Sequence, residues 1–235
     1  MQGREIIIND ELYINAENDC VVLSGKFGNP EFKTYTVDIP GRDGLLDLTD
    51  SLDGEVHYNN RSVEFRLFIA GKRLGERLNQ INSYHGQFVK FSSSYDNDYY
   101  YNGRLSVDVE EKKSNYAYVN LSFDCEPFKI AKNPTTSIHI IRGKQTLKVD
   151  YSGKPVTAEI KLIQKGDETN TPIALKVKKD DKSSVLFNIP NDFSFIIKTG
   201  INEIELESGR IVDGKFTPDS SSLSKIALSY TEVRI

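Results

Sequence analysis

The sequence predicts a mainly β protein of two parts: an N-terminal β-sandwich-like domain with one α-helix, then a C-terminal β-sandwich. Three observations predict it. Short runs of alternating apolar and polar residues recur along the whole chain, the period of half-buried strands. Tyr and Phe number 12 each and Trp is absent, an aromatic balance that suits a pleated surface. Only residues 72–85 carry a helical period. The 235 residues suffice for two domains of ordinary size. Charge divides them as well. Residues 1–131 hold 14 basic against 21 acidic side chains, a net of −7, whereas residues 132–235 hold 16 against 13, a net of +3. The expected domains are therefore 1–131 and 132–235, with Lys132-Asn133-Pro134-Thr135-Thr136 at the edge.

Taken in order, residues 5–14 and 20–27 read as short strands with a polar turn between them. Gly28-Asn29-Pro30 then breaks the chain before a strand at 32–39. Val37 and Ile39 share one face of that strand and Asp38 the other. Pro40-Gly41 ends it in a defined turn, because Pro fixes its own φ and Gly accepts conformations that other residues avoid. Arg42, Asp43 and Gly44 follow, then Leu45, Leu46, Asp47 and Leu48. Three leucines in four positions are too apolar for a free loop. The expectation is that they lie against their own domain or against a neighbouring subunit. Arg42 and Asp43 allow a local ion pair, worth little when exposed. They equally allow an intersubunit contact in which the guanidinium forks onto a carboxylate, and the leucines favour the contact.

Residues 62–69 form the clearest strand, with Val63, Phe65, Leu67 and Ile69 on one face and Glu64 and Arg66 on the other. The helix at 72–85 places Leu74, Leu78 and Ile81 on one side over about four turns, and Gly86 is placed to stop it. Gly75 weakens its propensity. A strand at 87–91, a polar loop at 92–98 and a strand pair turning at Asn102-Gly103 are expected next. In the strand at 116–123, Ala117, Val119, Leu121 and Phe123 alternate with Tyr116, Tyr118, Asn120 and Ser122. Beyond residue 135, short runs at 138–141, 146–151, 156–163, 173–178, 185–189, 193–198, 201–207 and 226–233 recur every eight to twelve residues or so. Gly143, Gly153, Gly166, Pro190-Asn191-Asp192, Gly200, Gly209 and Gly214 punctuate them as turns. That spacing is a sandwich pattern.

Catalytic and metal constellations are weak. Cys20 and Cys125 lie far apart in no metal-ligand spacing and read as buried free thiols. His57, His85 and His139 are scattered. Asp96-Asn97-Asp98 departs from a calcium loop, with Tyr100 at a ligand position and no Gly at the sixth place. Asp108-Val109-Glu110-Glu111 beside Lys112 and Lys113 reads as a solvated turn. The run Lys176-Val177-Lys178-Lys179-Asp180-Asp181-Lys182 is interrupted by acids and reads as a hairpin rather than a nucleic-acid patch. Tyr99-Tyr100-Tyr101 suits a strand or a protein interface more than a sugar platform. No catalytic residue, metal ligand or cofactor-binding residue is assigned, and no enzyme activity is expected. No run is long enough to span a bilayer as a helix, and Met1–Glu5 lacks the apolar core of a signal peptide, so folding in a cytoplasm is expected.

With these residues in place, the N-terminal half resembles the distal tail protein of siphoviruses, the baseplate hub of long-tailed phages. The resemblance rests on five features in the family's order, across residues of about 30 to 130. They are Ile39-Pro40-Gly41-Arg42-Asp43-Gly44-Leu45-Leu46-Asp47-Leu48-Thr49, the strand 62–69 followed by the helix, and His85-Gly86 before a strand. Tyr101-Asn102-Gly103-Arg104-Leu105 and Cys125-Glu126-Pro127-Phe128 complete the set. It implies a non-enzymatic structural protein of the virion tail tip, made in the bacterial host cytoplasm. Its N-terminal domains would join as a homohexameric ring, with galectin-like C-terminal β-sandwiches at the periphery. The implied partners are the tail tube protein, the tail-associated tip protein and a receptor-binding protein. DNA would pass through the lumen without specific binding, and no membrane insertion is implied. Pro40, Gly41, Arg42, Asp43, Gly44, Leu45, Leu46, Asp47 and Leu48 are then the candidate ring-interface or structural loop. Gly200-Ile201-Asn202-Glu203-Ile204-Glu205-Leu206 carries the likeness in the second half. The rival reading is a carbohydrate-binding sandwich for host cell-wall saccharide, marked by exposed aromatics in a groove. A glycosidase would need two carboxylates about five to ten ångströms apart across a cleft.

Overall fold

The computed structural model describes residues 4–51, 54–163, 173–187 and 192–235. The chain divides into two compact units between Lys129 and Ile130.

The first unit contains β1 (Ile6–Ile8), β2 (Leu12–Ile14), β3 (Cys20–Phe27), β4 (Thr36–Val37), β5 (Leu46–Asp47), β6 (Arg61–Ala70), α1 (Leu74–Asn82), β7 (Phe88–Ser93), β8 (Asp96–Lys112) and β9 (Tyr116–Cys125). Seven of these strands follow the order β2-β1-β7-β8-β9-β6-β3. The order is not sequential because β6 reaches β9 only after the chain has passed through α1, β7 and β8. Alternation along β6 puts Val63, Phe65, Leu67 and Ile69 inside and leaves Glu64 and Arg66 outside. The same alternation buries Ala117, Val119, Leu121 and Phe123 on β9. The sheet coils until β2 and β3, its two ends, come into contact. Leu74, Leu78 and Ile81 of α1 join the core that the coiled sheet encloses. Phe65 lies at its middle, edge-on to Phe27, Phe91 and Phe123 at centroid distances of 5.6, 6.2 and 6.1 Å.

Several local expectations give way to tertiary constraints. Residues 5–14 are not one strand but the hairpin β1–β2, whose turn holds Asn9 and Asp10 at positive φ. Asn and Asp tolerate that conformation because their short side chains bond locally. The strand expected at 32–39 shrinks to β4 and a single bridge from Phe32 to Tyr58. α1 is shorter than expected, nine residues, and the chain then turns through Tyr84 and His85 to Gly86 at φ +78°. Residues 92–98 are not a loop: Ser92 and Ser93 end β7 as buried residues, and β8 begins at Asp96. Asn102-Gly103 is not a hairpin turn. Gly103 stands inside β8, where a Cβ would sit 2.8 Å from the Asp124 carbonyl oxygen and from the Cys125 Cα. Its glycine serves close strand approach, the other reason a strand admits one. Residues 108–111 also lie within β8 at a bulge, not in a solvated turn, and Arg66 forks onto Glu110 at 2.9 and 3.0 Å.

In the second unit, β10 (Lys129–Ala131) carries the chain across the division. The following strands are β11 (Thr135–Arg142), β12 (Lys144–Tyr151), β13 (Val156–Leu162), β14 (Ile173–Lys179), β15 (Lys182–Leu186), β16 (Asp192–Ile197), β17 (Gly200–Val212), β18 (Lys215–Pro218), β19 (Leu223–Tyr230) and β20 (Val233–Arg234). They build two antiparallel sheets, β11-β19-β13-β16 and β12-β17-β14-β15, with β18 beside β17. Ile160, Leu162, Phe195, Ile197 and Leu228 of one sheet meet Leu175, Val177, Ile204 and Leu206 of the other in one core. That is a β-sandwich. Gly209 is not a turn residue; it lies in β17, where a Cβ would meet the Phe216 ring at 2.7 Å. The hairpin β17–β18 turns instead at Asp213 and Gly214, both at positive φ. Asp219 braces the following turn, accepting from Ser221, Ser222 and Arg210. Those donors, the serine hydroxyls first, hold its carboxyl well below the usual range. The turns expected at Gly166 and Pro190-Asn191 and the end of the run 185–189 lie outside the described residues.

Cys20 and Cys125 are free and buried in the first core. Burial pushes the Cys20 thiol up to about 11 and that of Cys125 up to about 12. Two outcomes are expected. Alkylation at pH 8 should modify neither thiol in the native protein and both on unfolding, read by intact mass. Gly103→Ala should lower unfolding free energy by roughly 1–3 kcal/mol in denaturant titration, because the added methyl meets backbone rather than a movable side chain.

Candidate assembly surface

The segment between β3 and β6 forms an arm rooted at one point of the sheet edge. Gly28 donates its N–H to the Ser62 carbonyl at 2.8 Å, and its own carbonyl accepts from Arg61 Nε at 3.1 Å. Arg61 is only 5% exposed, with its guanidinium 5.7 Å from the Tyr101 ring centre. The side chain of a buried arginine thus ties the arm to the core. Two antiparallel backbone bonds continue outward, Asn59 N–H to Glu31 carbonyl and Lys33 N–H to His57 carbonyl, each 2.7 Å. Further out, β4 and β5 pair Thr36 with Asp47 and Val37 with Leu46.

The tip is a type II turn. Arg42 donates its N–H to the Ile39 carbonyl at 3.1 Å, with Pro40 at the second position and Gly41 at φ +86° at the third. Gly44 follows at φ +76°. A Cβ at either glycine would meet nothing within 4 Å, so their backbone angles, not crowding, call for glycine. Asp47 accepts the N–H of Thr49 at 2.9 Å and its hydroxyl as well. The hydroxyl bond first and the amide second hold the Asp47 carboxyl below its usual range.

Of the predicted loop residues, Pro40, Gly41, Arg42, Asp43, Gly44, Leu45 and Asp47 are exposed, while Leu46 and Leu48 are half-buried. Leu45 is 61% exposed. The side chains of Arg42 and Asp43 make no ion pair among the described residues, so a local pair does not close this turn. Three exposed residues were missed by the sequence reading: Phe32 at 60%, Tyr35 at 64% and Val56 at 44%. Phe32 and Tyr35 fall in the strand expected at 32–39, which hid their exposure, whereas Val56 stands in a turn-rich stretch with Gly54, Asn59 and Asn60. Nothing in the described chain covers them.

The remaining sequence candidates disperse into structure. Tyr101 is buried and donates to Asp96, which also holds Lys129 at 2.8 Å; burial first and the Asp96 bond second push the phenol up. Lys129 lies 4.2 Å over the Tyr99 ring, and Lys90 lies 4.5 Å over Tyr100. The tyrosines therefore form no platform. The charge run at 176–182 is the β14–β15 hairpin, turning at Asp180 with φ +52°. On the outer face of β12, β17 and β14, Lys148 pairs with Glu203, and Lys144 and Lys178 with Glu205. This lysine–glutamate ladder occupies the face where a saccharide groove would need aromatic rings. Among the described residues no group of His, Cys, Asp and Glu could hold a metal ion, and no helix is long and apolar enough to cross a membrane.

No protein-family model matches the sequence, and no curated protein does. Among solved structures, the chain is similar to the Dit protein of phage SPP1, described as a paradigm of the hub adsorption apparatus in phages infecting Gram-positive bacteria. The match covers 100% of both chains with a TM-score of 0.56 at 12% identity. The two proteins share a fold from end to end.

The Asp47–Thr49 link carries a pH expectation. A carboxyl whose pKa is depressed in the folded arm contributes order above its unfolded value and loses it as pH falls through the folded one. Exchange of the Thr49 amide should therefore rise relative to other arm amides as pH is lowered below about 4, and Asp47→Ala, which removes the acceptor of both bonds, should abolish that difference.

Proposed function

We propose that this chain is a non-enzymatic structural component of a phage tail tip, the hub ring of the adsorption apparatus. The observation that carries the reading is the arm. A segment with Phe32, Tyr35 and Leu45 each at least 60% exposed costs solubility in a lone protein. In a closed ring the same surface is covered by the next copy. The fold shared over the whole chain with the SPP1 Dit protein supports the same assignment.

On this reading six first units form the ring at the distal end of a long non-contractile tail. Pro40 to Leu48 lie at the subunit boundary, and the galectin-like second units sit at the periphery. The ring joins the tail tube protein to the tail-associated tip protein and offers a mount for receptor-binding proteins. The net charge of −7 over residues 1–131 suits a lumen that repels DNA and lets it slide. The cytoplasm of the bacterial host is the site of folding and the virion tail tip the final location.

Arg42→Ala separates the roles of the loop. Its side chain has no partner within the described chain, so the melting temperature is expected to stay within about 1–2 °C of the parent. Ring assembly, read by mass photometry and by electron-microscopic class averages, is expected to weaken about tenfold to a hundredfold, the range of an interface arginine. Six-fold class averages support the reading; a strictly single chain in the presence of tail partners sinks it.

A further inference from the structure

The outer face of the first unit's sheet is mostly polar, but one corner is not. Phe68 on β6 stands in register with Val21 on β3 and Tyr118 on β9. Its ring lies 5.8 Å from Tyr116 and 5.3 Å from Tyr118. Val21 is 44% exposed on the free edge of the sheet. This aromatic stripe ends at Ala70, which pairs with Tyr116 and opens into a groove of about 770 Å³. Gly71, Leu74 and Gly75 line the groove together with Lys72, Lys112 and Lys113. A Cβ at Gly75 would meet nothing within 4 Å, so space above the helix start is open. Lys113 is held by Glu111 at 3.1 Å. The side chains of Lys72 and Lys112 have no hydrogen-bond or ion-pair partner among the described residues.

The geometry points to this corner as the surface that receives the arm of a second copy. The inference rests on the ring reading and deepens it by naming the receiving site. Two features match. The arm carries Glu31, Asp38, Asp43, Asp47, Asp50, Asp53 and Glu55 against only Lys33 and Arg42, whereas three lysines line the groove, with Glu111 on Lys113 and Asp19 behind Gly71 as the acids beside it. The arm also exposes Phe32, Tyr35 and Leu45, and the stripe beside the groove offers Phe68, Tyr116, Tyr118 and Val21. Apolar burial supplies the attraction. Exposed charge pairs add little energy each but set register and speed encounter. Lys72 and Lys112 would lie opposite Asp38 and Asp43, whose side chains also have no partner among the described residues.

A charge exchange tests this on the full chain, under conditions in which the parent forms rings, alone or on its tail partners. K72E/K112E is expected to raise the concentration for half-assembly about tenfold or more, and D38K/D43K to do the same. The four substitutions together are expected to recover assembly to within about threefold of the parent. Melting temperatures of all three check folding, and the neutral pair K72Q/K112Q, expected to give an intermediate loss, replaces K72E/K112E if that variant unfolds. Parent rings left unchanged by K72E/K112E overturn this docking site and leave the ring reading standing. A folded four-residue variant that does not recover overturns the pairing of arm with groove. A parent that stays a single chain even with tail partners overturns the ring reading and this inference together.

Discussion

The first unit depends on one constraint: a sheet with a single apolar face must bury that face on itself. β6 meets it with Val63, Phe65, Leu67 and Ile69, all buried, and Phe65 supplies the centre. Burying a phenylalanine contributes roughly 1.5–3 kcal/mol, and each well-placed ring pair adds about 0.5–1.5 kcal/mol. Phe65 makes such pairs with Phe27, Phe91 and Phe123, while Phe91 and Phe123 stack at 3.9 Å. Gly25 belongs to this arrangement. A Cβ there would come within 2.9 Å of the Phe65 ring, so β3 can close against β6 only with a glycine at that point.

Because that core is complete, the arm is surplus to it. Its root is fastened by Arg61 and Gly28, and its outer half is held by a few backbone bonds and by Asp47 with Thr49. Such an element has order without cover. Its exposed aromatics and its excess of carboxylates are costs to the isolated chain, which the proposed ring would offset. The groove at Lys72 and Lys112, beside the stripe at Phe68, has the opposite charge and the same appetite for apolar contact. The second unit follows different rules. Its two sheets satisfy each other, and its outer lysine–glutamate ladder keeps one face charged and solvated.

The legible parts of the sequence were those with a strict period. The alternation in 62–69 and 116–123 named the inward faces of β6 and β9 residue by residue, and Leu74, Leu78 and Ile81 named the buried side of α1. Turn chemistry was legible where backbone angle sets the residue, as at Pro40-Gly41. It misled where the same residues serve another purpose. Asn102-Gly103 looks like a hairpin turn, yet Gly103 is there to let β8 pass Cys125. Ser92 and Ser93 look like loop, yet strand pairing takes them into β7, where Ser93 bonds the Glu5 carbonyl.

By itself the sequence determined the fold class, the inner faces of β6 and β9, the place of the one helix and the composition of the arm. Periodicity carries that information because a side chain's direction along a strand or helix follows from local geometry alone. Tertiary structure decided the rest: the order β2-β1-β7-β8-β9-β6-β3, the glycines needed for close approach, and the exposure of Leu45, Phe32 and Tyr35. Whether a leucine in a loop is covered depends on which strands close over which face, and that is a property of the whole sheet, not of its neighbours in sequence.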